Sequence, residues 1–194
     1  MNFKQYLYQK TKSTISKWDE EGIYAISFFV YSNELIKYQQ YENISMFAIS
    51  YNTEEDCGHA SSHNEARWNY AFWRQNVTPI IDPYDENNEG TKLLFEWYEE
   101  NGIDNIGFED SYGDYDENGR CIAKGPIGYY ELLTLVSEVA RQLQIEGFVA
   151  EKFGKIPIIV HDLEYPWYAE EATANANPNG EANTFLEALR NCFM

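Results

Sequence analysis

The most regular pattern in the chain lies late in it. Tyr129, Leu132, Leu133, Val136, Val139, Ala140 and Leu143 recur at spacings of three and four. That spacing puts them on one side of an amphipathic helix entered from Pro126. Residues 23–31 follow another rule. They are apolar at both alternating sets of positions and rich in aromatic and β-branched side chains, which predicts a strand buried on both faces and central to a sheet. A second strand is predicted over 44–51 and a third over 156–160. Pro157 lacks an N–H, so the third strand belongs at an edge or has Pro157 at its first ladder position.

Helices fill much of the rest. Phe3, Leu7, Ile15 and Trp18 lie at helical spacing among Lys and Ser and predict a helix over 2–20, ended by Gly22. Ser62-His63-Asn64-Glu65 fits a capping box, with a helix following through Ala66, Tyr70 and Trp73 to about Asn76. Residues 91–101 predict a short helix closed by Gly102 in the left-handed position. The segment 147–154 continues or ends the long helix. Residues 166–176 and 181–191 are the last helical candidates, split by Asn177-Pro178-Asn179-Gly180. Pro79 and Pro83 break the chain, a polar connection leaves 32–34, and 103–125 reads as a loop holding a hairpin. The order predicts an α+β fold, a small, mostly antiparallel sheet of about three to five strands covered by helices.

Composition bounds this picture. The 194 residues suit one domain, 1–194, with an acidic, loop-rich segment at 82–125. Sixteen Tyr, eleven Phe and five Trp give the chain enough apolar surface to order itself despite its acidity. Cys57, Cys121 and Cys192 are odd in number and widely spaced, unlike a secreted disulfide framework. The first residues lack the apolar core of a signal peptide, and the longest apolar run, at 23–31, is far short of the ~20 residues of a membrane span. The expectation is a soluble, cytoplasmic protein.

Charge then sharpens the reading. Of a net −18, −11 falls between residues 82 and 120, where thirteen acids face only Lys92 and Arg120. Charge this dense repels itself unless a cationic partner offsets it. It also argues against nucleic acid or an anionic membrane as partner. The favoured partner is a basic protein, and the oligomeric state stays open. The expected partner-binding residues are Asp104, Glu109, Asp110, Tyr112, Asp114, Tyr115, Asp116 and Glu117, with the tyrosines as contact anchors.

No catalytic, metal or cofactor site is assigned. Asp114-Tyr115-Asp116-Glu117-Asn118-Gly119 fits the first half of a calcium loop, but Gly125 stands where the bidentate Glu belongs. A hairpin turned by a left-handed Asn118-Gly119 pair is preferred, and weak calcium binding stays an alternative. Cys57, His59 and His63 lack the spacing of a zinc site. His161 and Asp162 follow the third strand, a common address for active-site groups. They keep open a hydrolase with an acidic cleft around His161, although a structural His161 is preferred. Trp68, Tyr70, Phe72 and Trp73 crowd one segment, as a buried helix or an interface anchor.

Three blocks carry a resemblance: Ile49-Ser-Tyr-Asn-Thr-Glu-Glu55, Glu65-Ala-Arg-Trp-Asn-Tyr-Ala-Phe-Trp73, and Ile156-Pro-Ile-Ile-Val-His-Asp-Leu-Glu-Tyr165 with Asn177-Pro178 after it. Together they resemble an uncharacterised bacterial family of small acidic cytosolic proteins. The resemblance assigns no catalytic residue. Small acidic domains of this type look like the immunity proteins that bacteria pair with toxins, which implies a non-enzymatic inhibitor of a basic protein such as a nuclease toxin.

Overall fold

The computed structural model describes residues 1–32, 35–109 and 114–192. In chain order it has α1 (Phe3–Ser16), β1 (Ile23–Tyr31), a small hairpin of β2 (Lys37–Tyr38) and β3 (Tyr41–Glu42), β4 (Met46–Thr53) and α2 (Glu65–Trp68). A 3-10 turn at Tyr70–Phe72, β5 (Thr78–Ile81), α3 (Glu89–Glu100), α4 (Tyr129–Ile145), α5 (Phe148–Phe153), β6 (Ile158–His161), α6 (Trp167–Ala176) and α7 (Asn183–Cys192) follow. The main sheet has the order β5-β4-β1-β6. Its β1–β4 and β4–β5 pairs are antiparallel and its β1–β6 pair is parallel. This is the predicted α+β class.

Alternation along the strands divides the interior in two. Ile26, Phe28 and Val30 of β1 point with Phe47, Ile49, Ile158 and Val160 toward a core shared with α1, α3 and α4. Ala25 and Phe29 point the other way, onto a second core built from Trp68, Tyr70, Trp73, Ile159, Phe185 and Leu189. A strand clothed on both faces is apolar at nearly every position, Ser27 being the exception in β1, which is why β1 is so legible. The stripe of α4 is buried throughout.

Several expectations shift. The first helix stops at Ser16 because Trp18 leaves its stripe to pack on Tyr51, with ring centroids 4.7 Å apart. Asn64, not Ser62, caps the second helix, its side chain accepting from the Ala66 N–H. That helix ends after Trp68 instead of running to Asn76. An unbroken helix could not turn Trp68, Tyr70 and Trp73 all to one side. The break buries all three rings and lets both indoles donate, to the Ser62 and Arg67 carbonyls. Phe72 stays exposed. A fourth main-sheet strand, β5, contains Pro79, which a position on the sheet edge tolerates.

The free edge of β6 is closed by side chains. Thr173 Oγ1 accepts from the Val160 N–H and donates to the Val160 carbonyl, both at 3.0 Å. Asn177 does the same for Ile158, at 2.9 and 2.7 Å. Four residues of helix rise ~6 Å and two residues of strand ~6.6 Å, so the two spacings match.

Candidate functional site

Four of the thirteen acids of the 82–120 segment lie on α3. Leu94 and Tyr98 of this helix are buried against the core, while Glu89, Glu96, Glu99 and Glu100 are exposed. Glu89 sits in the first turn, where the helix dipole welcomes an acid. Glu99 and Glu100 end the helix, where the dipole is negative and no basic residue answers them. Each such placement costs about 0.3–1 kcal/mol.

The β2–β3 hairpin lies beside α3 and forms two grooves with it. One, of about 500 Å³, is walled by Tyr38, Tyr41 and Phe95 and edged by Glu96, Glu99 and Asp104. Phe95 stacks on Tyr38 with centroids 4.8 Å apart and touches Tyr41 at 5.0 Å. The other, of about 580 Å³, runs past Tyr84 and Glu86, and the two share Tyr38, Gln39 and Lys92. The chain 107–109 is tied to the hairpin, since the Asn43 side chain donates to the Gly107 carbonyl at 2.8 Å.

The expected site residues divide between two places. Asp104 joins Glu96 and Glu99 in the aromatic groove. Glu109 is exposed and bridges to Pro126. Asp110 and Tyr112 lie outside the described residues. Asp114, Tyr115, Asp116 and Glu117 belong to a small hairpin closed by the Tyr115–Cys121 bridge. Its loop differs from the expected Asn-Gly pair, because among these residues only Gly119 has a positive φ, 76°. Asp116 Oδ1 accepts the Asn118 and Arg120 N–H groups, both at 2.9 Å, and these bonds hold its carboxyl below the usual range. Tyr115 is exposed. The hairpin faces another neighbourhood, for Arg120 lines a cavity with Trp167, Glu170 and Arg190.

Among the described residues, ion pairing leaves this surface uncompensated, as it does some acids elsewhere, Asp19, Glu21 and Glu55 among them. The bridges among the described residues use Glu20, Glu42, Glu54, Asp56, Glu138, Glu146 and Glu170. Glu96, Glu99, Glu100 and Asp104 form none among the described residues. Sequence reading placed the anchors in the 104–117 loop and missed Tyr38, Tyr41 and Phe95. A faint signal lay in Tyr38 and Tyr41, which flank the two residues Gln39-Gln40.

His161 is buried at 1% exposure. Its Nε2 lies 2.7 Å from Ser27 Oγ and its Nδ1 2.6 Å from the Asp162 carbonyl. The rings of Phe29, Tyr70 and Tyr165 surround it. Burial pulls its pKa down to about 4, so it is neutral and packed within the second core. This geometry favours the structural reading of His161. Near Cys57, the Arg67 guanidinium pairs with Glu54 at 2.6 Å and lies 4.0 Å from the centre of the Tyr24 ring. No three His, Cys, Asp or Glu side chains converge as a metal site among the described residues. No helix among them is long and apolar enough to cross a membrane. Comparison with known protein families, curated proteins and solved structures finds no match.

Proposed function

We propose that this chain is a non-enzymatic binding protein, an immunity- or antitoxin-like inhibitor that neutralises a basic protein through its acidic surface. A nuclease toxin is the type of target that fits, because a site built to hold phosphate would accept carboxylates in its place. The observation that carries the reading is the end of α3. Glu99 and Glu100 oppose the helix dipole, and with Glu96 and Asp104 they lie exposed and form no ion pair among the described residues. Such charge costs stability, and a cationic partner would recover it. Tyr38, Tyr41 and Phe95 in the adjoining groove supply the aromatic area that desolvated anchors need. Asp114, Tyr115, Asp116 and Glu117 would form a second contact on the hairpin.

Purified protein would first be used to recover a partner from its host, and the kinetics of the recovered pair would then test the surface. Replacing Glu96, Glu99 and Asp104 with Gln, Gln and Asn should slow association about tenfold at low salt and flatten its salt dependence. The parallel set Asp114→Asn, Asp116→Asn and Glu117→Gln measures the hairpin's share. Unchanged association in both sets would reject the acidic surface as the interface.

A further inference from the structure

A cavity away from the acidic helix has a chemistry of its own. The parallel strands β1 and β6 run out at the same end of the sheet, β1 at Tyr31 and β6 at His161. Above their carboxyl ends, between the starts of α4 and α6, lies a cavity of about 290 Å³. The crevice beyond the carboxyl ends of parallel strands is a recurrent ligand address. Asp162 is its central polar group. Asp162 Oδ2 accepts from the Tyr129 hydroxyl at 3.0 Å and the Tyr168 hydroxyl at 3.3 Å, and Oδ1 accepts the Glu164 N–H at 2.6 Å. The Tyr129 and Tyr168 rings meet edge to face at 75°, and Tyr31 adds a third aromatic wall.

Charge decides what such a cavity would hold. Asp162 and Glu164 both line it, and no Lys or Arg does among the described residues. Asp162 is half-buried, and burial raises the pKa of its carboxyl. The phenols and the amide orient the carboxylate without cancelling its charge. A half-buried carboxylate set among aromatic side chains is an environment that favours an organic cation, by Coulomb attraction and by contact with the rings.

We propose that this cavity binds a small organic cation, an alkylammonium or guanidinium head group, with Asp162 as counter-charge and Tyr31, Tyr129 and Tyr168 as walls. The same head group could arrive as a free amine or as a Lys or Arg side chain of a protein. The site uses none of the residues of the acidic surface, so it stands or falls apart from the reading of that surface.

The test is an NMR titration of the whole chain with n-butylammonium, n-butylguanidinium, uncharged 1-pentanol and the peptide acetyl-Gly-Gly-Lys-Gly-Gly-amide. Either cation should shift the Tyr129 and Tyr168 ring signals and the Glu164 amide saturably, in about the millimolar range expected for so few atoms. The alcohol should not. Asp162→Asn should weaken binding at least tenfold. Binding of the peptide as tight as that of the free amine would assign the site to protein side chains, and binding of the amine alone would assign it to small molecules. Equal response to pentanol, shifts confined to residues 82–120, or unchanged affinity in a folded Asp162→Asn would overturn the proposal. If Asp162→Asn does not fold, Tyr168→Leu decides: a several-fold loss sustains the site and no loss rejects it.

Discussion

Asn177 and His161 show how single buried polar side chains hold this fold. The Asn177 side chain bonds Ile158 N–H and C=O, the Thr173 carbonyl and Gln144 Nε2, all within 3.0 Å. Asn177→Ala would leave both main-chain groups of Ile158 buried and unmatched, a loss of about 2–4 kcal/mol. Urea unfolding with an unchanged m-value would measure it, and a loss below ~1 kcal/mol would mean that water replaces the amide. His161 makes a prediction in pH. Its folded pKa of about 4 lies below the ordinary histidine value of 6.5. The unfolded chain therefore takes up a proton first as pH falls. The stability that neutral His161 preserves is complete above pH 6.5 and is lost progressively down to about 4, at most about 3 kcal/mol. Asp162, with its raised pKa, works in the opposite sense. Subtracting the pH profile of His161→Gln, which keeps Asp162, isolates the histidine. The difference between the two profiles should slope between pH 6.5 and 4, and a flat difference would show that the ring titrates alike in both states.

Elements differ in how well the sequence reveals them, and the reason is where each finds its stabilisation. β1 and α4 carry their burial in their own residues, so the continuous apolar run and the three-four spacing located them. α3 was displaced by only two residues at its start, where Asn88 caps it, accepting the Thr91 N–H at 2.8 Å. β5 and the β2–β3 hairpin are strands only because a neighbour supplies the ladder, and runs of two to four residues have no readable period. The broken helix at Trp68 answers to aromatic burial, which local propensity does not encode. Neither the Tyr38–Phe95 groove nor the Asp162 cavity was legible, because each joins residues from distant parts of the chain. Gly107 ties one such junction. Its φ is +84°, and a Cβ there would fall 1.8 Å from the Glu42 carbonyl oxygen. Gly107→Ala must therefore push the acidic loop off the hairpin. It should cost about 2–4 kcal/mol and open the 103–109 segment to limited proteolysis. A protease pattern identical to wild type would show that the hairpin moves with the loop.

Across the whole molecule the acids set stability against association. A net −18 self-repels, and about 0.1 M salt screens charges more than ~10 Å apart. The folded state should therefore gain stability between ~10 and ~300 mM sodium chloride, with magnesium and calcium acting alike at equal ionic strength. A calcium-specific rise would instead point to a discrete ion site at the 114–119 turn. The end of α3 concentrates the conflict. Removing the charges of Glu99 and Glu100 as Gln relieves their opposition to the helix dipole and should stabilise the protein by about 0.5–1 kcal/mol at low salt. A surface shaped only by tolerance of drift would gain this stability without loss. A surface that uses its charge to capture a basic partner would gain it while association slows, and the slowing would vanish at high salt. Thermal midpoints and association rates of one double variant, measured at two salt concentrations, separate these cases. Higher stability with unchanged association would place the interface elsewhere than on α3.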